Sequence, residues 1–158
     1  MSEFKLSARS LKNISRINCD LAAVVTRAIK ITEVDFAVIQ GRRLLEEQYA
    51  LYGKGRRSED LRKIKVPEFY ARPNERKVTW VIRSKHVLGE AVDVAPYVDG
   101  KLDWDESGKK GLWPKIASAF AQAAEEYERD TGNKADIEWG GSWKSPKTDR
   151  PHFQINID

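Results

Sequence analysis

Apolar residues recur at three- and four-residue steps from Ser10 onward, at Leu11, Ile14, Ile17, Leu21, Val24 and Ala28, which predicts one amphipathic helix. Asp35 to Gln40 reads Asp-Phe-Ala-Val-Ile-Gln, a β-prone run ending at Gly41 that predicts a short buried strand. Helical spacing returns at Leu44, Leu45, Gln48, Tyr49 and Tyr52 and stops at Gly53. From Gly53 to Lys77 no period is sustained, and Gly53, Gly55, Pro67 and Pro73 mark a long connection of the kind that is either functional or disordered. Regular structure is expected to resume over Val78 to Arg83. A strand over Ala91 to Ala95 passes through Asp93 and is closed by Pro96, and Asp99-Gly100 signals a turn. Pro114 suits the first turn of a second long helix whose apolar positions Trp113, Ile116, Phe120, Ala124 and Tyr127 run to Gly132. Ala135 to Trp139 and His152 to Ile157 read as terminal strands separated by a glycine- and charge-rich loop. The order of elements predicts an α+β fold, a small antiparallel sheet packed against amphipathic helices.

The chain has 158 residues, the size of one domain, so residues 1–158 are expected to fold as a single unit. An apolar fraction of 41% beside a charged fraction of 33% permits a core under a heavily charged surface. No run approaches the ~18 apolar residues of a membrane span, and Met1 to Ser10 lacks the apolar segment of a signal peptide. No membrane insertion is expected, and synthesis in the cytoplasm fits. Cys19 is the only cysteine, which excludes an intramolecular disulfide and a Cys-rich zinc site and leaves a free structural thiol. The net charge is +4, but Gly53 to Lys77 holds nine basic residues against four acids, so this segment carries +5 and the remainder −1. Such a run would attract a polyanion such as nucleic acid or cell wall, or serve only as a solvated loop.

The two histidines each lie in a dense polar cluster, Ser84-Lys85-His86-Val87-Leu88-Gly89-Glu90-Ala91-Val92-Asp93 and Asp149-Arg150-Pro151-His152-Phe153. Catalytic zinc takes three protein ligands from imidazole nitrogen and carboxylate oxygen and keeps a fourth position for water. His86, Asp93 and His152 satisfy that count, with Gly89 allowing the chain to turn between the first two. A metal there acts as a Lewis acid on a scissile carbonyl and lowers the pKa of water toward ~7. Hydrolysis also calls for a carboxylate base that the metal does not consume. Asp149, three residues before His152, is the choice. Glu138 competes with it, and Asp136 and Glu90 are weaker candidates.

Ser-x-His-x-x-x-x-x-x-Asp followed far downstream by Asp/Glu-x-x-His resembles the zinc peptidases that include D-alanyl-D-alanine carboxypeptidases, vancomycin-resistance dipeptidases, phage L-alanyl-D-glutamate endopeptidases and the hedgehog signalling domain. Ser84, His86, Asp93, Asp149 and His152 stand at those positions, and the run from Ser84 through Trp104 is most similar to the phage endolysin branch. The resemblance implies a hedgehog/DD-peptidase-like fold in which His86, Asp93 and His152 bind Zn2+ and Asp149 is the catalytic acid/base. A Gly-x-Arg pattern at Gly41 and Arg43 implies that Arg43 positions substrate or stabilises the oxyanion, although an ion-paired role at a helix start fits as well. Ser84 would hydrogen-bond at the substrate site. Many relatives carry Glu where this chain has Asp149, and the shorter arm requires a closer backbone or a shifted water. Trp139-Gly140-Gly141-Ser142-Trp143 is similar to a segment of the phage branch, whose glycines admit substrate or whose tryptophans pack the core.

What the resemblance implies is a monomeric endolysin acting on bacterial peptidoglycan. It would accumulate in the host cytoplasm and cut the L-alanyl-D-glutamate bond of the stem peptides once the membrane is opened. The rivals are a D-alanyl-D-alanine carboxypeptidase or dipeptidase with the same site, a non-catalytic zinc-binding module, and a nucleic-acid binder using residues 53–77. No nucleic-acid motif accompanies that segment, so no stable nucleic-acid partner is expected.

Overall fold

The stripe of apolar residues near the N-terminus continues unbroken onto the buried side of the chain, but the helix that carries it does not. In the computed structural model, which describes residues 2–157, α1 spans Ala8–Ile14 and α2 spans Cys19–Ile31. The Asn18 side chain accepts the N–H groups of Asp20 and Leu21 at 2.9 and 3.0 Å and opens a new helix. Ser15 closes the old one by bonding back to the Lys12 carbonyl. The expected single helix is therefore two. Ile14, Ile17, Leu21, Val24 and Ala28 are buried as the spacing requires, while Leu11 is exposed.

The chain resolves into two compact units, Met1–Arg42 with Gly89–Asp158, and Arg43–Leu88. The first contains the whole sheet: β1 (Phe36–Gln40), β2 (Ala91–Val98), β3 (Lys101–Leu102), β4 (Ile137–Trp139) and β5 (His152–Ile155). Their order is β1-β2-β5-β4, with β3 paired to β2, and every pairing is antiparallel. β2 continues through Pro96 instead of closing there. Val94 N–H bonds toward Pro151 on the β5 side and Tyr97 N–H toward Asp35 on the β1 side, so the donor that Pro96 lacks falls beyond the start of β5. The Asp99-Gly100 turn forms as expected, both residues at positive φ (54° and 80°).

Helix α5 (Leu112–Thr131) matches the periodicity of the sequence and stops at Gly132, whose φ of 76° suits glycine. It packs on α2 and the sheet, with Phe120 stacked on Phe153 at 4.0 Å and tilted against Phe36 at 5.5 Å. Val92, Val94, Phe153 and Ile155 point into this core. Strand alternation then sends Asp93, His152, Gln154 and Glu138 to the opposite face of β2, β5 and β4. That face carries the chemistry.

The second unit holds no named strand among its described residues. It contains α3 (Leu45–Gly53), as the spacing predicts, and α4 (Ser58–Lys63) within what reads from sequence as an irregular connection. A short 3-10 turn follows at Glu68–Tyr70. Helix α3 ends at Gly53, where a Cβ would lie 1.9 Å from the Tyr70 carbonyl oxygen, so the close approach of residue 70 requires glycine. Regular structure does not resume over residues 78–83, where Val78, Trp80 and Val81 are exposed and the Val81 carbonyl accepts from the Gln48 side chain at 2.7 Å.

Candidate metal centre

Antiparallel register places Asp93 of β2 directly opposite His152 of β5, so both side chains leave the same face of the sheet. The His152 Nδ1 atom lies 3.7 Å from Asp93 Oδ1, and Nε2 lies 2.8 Å from Gln154 Oε1. With its oxygen turned to the ring, the Gln154 amide accepts on the Nε2 side, and the Asp93 carboxylate is a second acceptor on the Nδ1 side, so a proton on either ring nitrogen meets an acceptor. The Trp143 ring covers the imidazole at 5.0 Å, tilted by 45°. Burial works against charge on His152 and would lower its pKa. Hydrogen bonding to Asp93 and Gln154, with the charges of Asp93 and Asp149, outweighs it and leaves the pKa above the ordinary histidine value.

The approach to β5 is a tight turn. Asp149 N–H donates to the Gly140 carbonyl at 2.9 Å, and His152 N–H donates to the Asp149 carbonyl at 3.2 Å. Pro151 thus ends an irregular segment as its residue type suggests, and the Asp149 side chain remains exposed three residues before His152. A Cβ on Gly140 would meet the Asp149 carbonyl at 2.4 Å, and one on Gly141 would meet the Trp139 ring at 2.1 Å. These glycines serve close packing. Trp139 stacks on Phe153 and donates Nε1–H to the Arg150 carbonyl, so it belongs to the core, whereas Trp143 belongs to the site.

Glu138 is committed elsewhere: one oxygen accepts from Trp143 Nε1 and the other from Asn156 Nδ2 at 3.0 Å. Asp136 and Glu90 lend their backbone carbonyls to Asn156 and Ile155.

Within residues 43–88, His86 is buried, and its backbone is held from both sides. Its N–H donates to Ser84 Oγ at 3.1 Å, and its carbonyl accepts from Arg43 N–H at 2.9 Å. The Arg43 guanidinium donates to Gln48 Oε1 at 2.6 Å, and Gln48 is fully buried. Arg43 thus precedes α3 with its guanidinium on the Gln48 amide. Among the described residues, His86 in the one unit, and Asp93 and His152 in the other, are the residues whose donor atoms could hold a metal ion. Two imidazoles and one carboxylate are the donor types that suit zinc or a similar divalent ion with a position left open.

Sequence reading named these three residues and missed Gln48, Gln154 and Asn156. The last two carried a signal: His152, Gln154 and Asn156 alternate with Phe153 and Ile155, so a polar face runs along the strand behind the histidine.

Two family models match the chain. Residues 1–66 match phage L-alanyl-D-glutamate peptidase and residues 77–155 match D-alanyl-D-alanine carboxypeptidase. The L-alanyl-D-glutamate peptidase of Escherichia phage T5 is 28% identical over 142 residues, which is 90% of this chain and 83% of that protein. The crystal structure of the Serratia marcescens L-Ala D-Glu endopeptidase ChiX superposes with a TM-score of 0.67 at 29% identity, covering 98% of this chain and 92% of that one.

Proposed function

Given that the chain belongs to the D-alanyl-D-alanine carboxypeptidase family of metallopeptidases, we propose that it is a zinc-dependent peptidoglycan endopeptidase that hydrolyses the L-alanyl-D-glutamate bond of wall stem peptides. The observation that carries the metal assignment is the opposed Asp93–His152 pair, with His152 Nε2 already committed to Gln154. His86, Asp93 and His152 are the proposed ligands. The choice of bond follows the phage T5 and Serratia enzymes that the chain resembles over nearly all of its length.

When bound, the ion supplies Lewis-acid polarisation of the scissile carbonyl and makes water more acidic. Asp149 is the proposed general acid/base: exposed and fixed by its turn, it takes the proton from the attacking water and returns it to the leaving amine. Its carboxylate also favours the charged form of His152, so the two groups feel one another. Glu138, the rival base, is read as structural, because hydrogen bonds to Trp143 and Asn156 occupy both its oxygens. Arg43 is proposed to hold substrate or the developing oxyanion with its forked donors, and Ser84 to keep His86 in place beside the substrate site. Residues 1–158 are read as one catalytic domain, monomeric, made in the host cytoplasm and acting on the wall once the membrane is opened. No described helix is long and apolar enough to cross a membrane.

The test is digestion of purified peptidoglycan before chelation, after chelation and after zinc restoration, with the new termini identified. Zinc-restored release exposing N-terminal glutamate supports the reading. The name of the matched carboxypeptidase family makes release of free D-alanine the alternative result; no release from any wall would leave a non-catalytic zinc module.

A further inference from the structure

Behind His152 runs a closed circuit of side chains whose polarity is set at its far end. His152 Nε2 faces Gln154 Oε1 at 2.8 Å, Gln154 Nε2 donates to Asn156 Oδ1 at 2.8 Å, and Asn156 Nδ2 donates to Glu138 Oε1 at 3.0 Å. The other Glu138 oxygen accepts from Trp143 Nε1, and the Trp143 ring returns to cover His152. Each amide has one accepting and one donating end, and an ionised carboxylate has only acceptors.

We infer that Glu138 is a positioning residue that fixes the tautomer of His152 through Gln154 and Asn156. Because the carboxylate can only accept, Asn156 must turn its NH2 group to it and its oxygen to Gln154. Gln154 must then donate to Asn156 and offer its own oxygen to His152. The imidazole is left to donate from Nε2, and Nδ1 keeps the lone pair on the Asp93 side. The direction of every bond follows from the one group in the circuit that cannot reverse. Trp143 completes the device, since an indole N–H only donates and pins one oxygen of Glu138. The inference deepens the metal-site reading and rests on His152 being a ligand through Nδ1.

Glu138→Gln reverses the relay. Trp143 holds the new amide oxygen, the new NH2 group faces Asn156, both downstream amides flip, and Gln154 then donates to Nε2, moving the imidazole proton to Nδ1. Glu138→Gln combined with Asn156→Asp moves the carboxylate one step along the circuit. The amide introduced at position 138 then donates to the carboxylate introduced at position 156. That carboxylate also accepts from Gln154, so the original polarity returns with the original charge.

Two measurements on the parent and both variants test this. Nitrogen-15 NMR of the neutral histidine rings in metal-free protein reads the tautomer, and competition with a chromophoric chelator reads the affinity for Zn2+ alone. We expect Nε2–H in the parent, Nδ1–H in Glu138→Gln and Nε2–H in the double variant. Zn2+ binding should weaken ~10- to 100-fold in Glu138→Gln, the usual scale for losing a group behind a metal ligand, and recover in the double variant. A parent-like tautomer in Glu138→Gln, or a double variant that fails to restore Nε2–H, overturns the inference. A tautomer that switches and returns while Zn2+ affinity stays constant upholds the relay and overturns ligation through Nδ1. If Glu138→Gln does not fold, Asn156→Leu, which cuts the link between Glu138 and Gln154, is measured in its place: loss of the single Nε2–H tautomer upholds the inference, and an unchanged Nε2–H population overturns it.

Discussion

The two units of this protein are organised by different forces. Every member of the main hydrophobic cluster, from Ile14 and Leu21 to Phe153 and Ile155, comes from residues 1–42 and 89–158. Residues 43–88 bury only Leu61 and Val66 among their large apolar side chains and leave Leu44, Phe69, Val78, Trp80 and Val81 exposed. What they bury is polar: Gln48, Arg56, Ser84 and His86. Order there comes from side chains that grip backbone carbonyls, Arg56 on Tyr52, Gln48 on Val81 and Arg72 on Phe69. A segment with few apolar contacts opens at low free-energy cost, whereas a packed sheet opens only near global unfolding. The proposed ligands divide along the same line, Asp93 and His152 on the sheet and His86 in the polar segment.

The largest effects separate chemistry from scaffold. Asp93→Ala, His152→Ala and His86→Ala are each expected to abolish wall hydrolysis and bound metal, measured by amino-group release and elemental analysis. Full metal occupancy in any of the three would remove that residue from the ligand set. Asp149→Ala should lower turnover ~10²- to 10⁴-fold, the usual contribution of a general acid/base, while metal content stays unchanged. Unchanged turnover would mean that the base lies elsewhere.

Next come substitutions that test the contrast in packing. Phe120→Ala removes a ring stacked on Phe153 in the main core and should destabilise by ~3–5 kcal/mol, read as a lower midpoint in denaturant. Leu61→Ala truncates a fully buried side chain in the polar segment, and its cost should appear as faster amide hydrogen exchange confined to residues 43–88. Equal loss of protection across the sheet in Leu61→Ala would show that the two regions unfold together.

The same contrast explains what could be read in advance. Helix α5, β1 and the Asp99-Gly100 turn were legible because apolar period, Pro114 and glycine signals all agreed. The α1–α2 break was hidden because Ile14, Ile17 and Leu21 stay buried across it; only Asn18, a residue suited to capping, marked the new start. Helix α4 offers one buried apolar residue, Leu61, among charges, too few for a period to register. Val78 to Val81 carry strand-forming side chains without a paired strand, and propensity without a partner does not make a sheet. At the site, the candidate ligands could be named because their residue types and spacing lie along the chain. The grip of Arg43 on Gln48 depends on folded geometry that spacing does not encode.

The smallest expected effects come from two exposed ion pairs, one in each unit, and they sharpen the comparison from its weakest side. Arg27 of α2 meets Asp130 of α5 at 2.8 Å across 103 positions of sequence, and Arg62 meets Glu68 at 2.7 Å only six residues on. In each pair the arginine hydrogen bond holds the carboxylate of Asp130 or Glu68 below its ordinary value. A depressed carboxylate contributes stability that is present above the ordinary value and lost as pH falls through the lowered one. Both contributions should therefore persist at neutral pH, fade only in acid, and be screened by salt. The pairs differ in what they join. Arg27→Gln loosens two helices already packed through the core, so its effect should be a slight fall in the global melting temperature that disappears in high salt. Arg62→Gln frees a local contact where little apolar packing stands behind it, so its effect should appear in hydrogen exchange of residues 58–70 and leave the melting temperature unchanged. A global shift from Arg62→Gln matching that from Arg27→Gln would mean that the polar segment contributes to cooperative stability despite its sparse core.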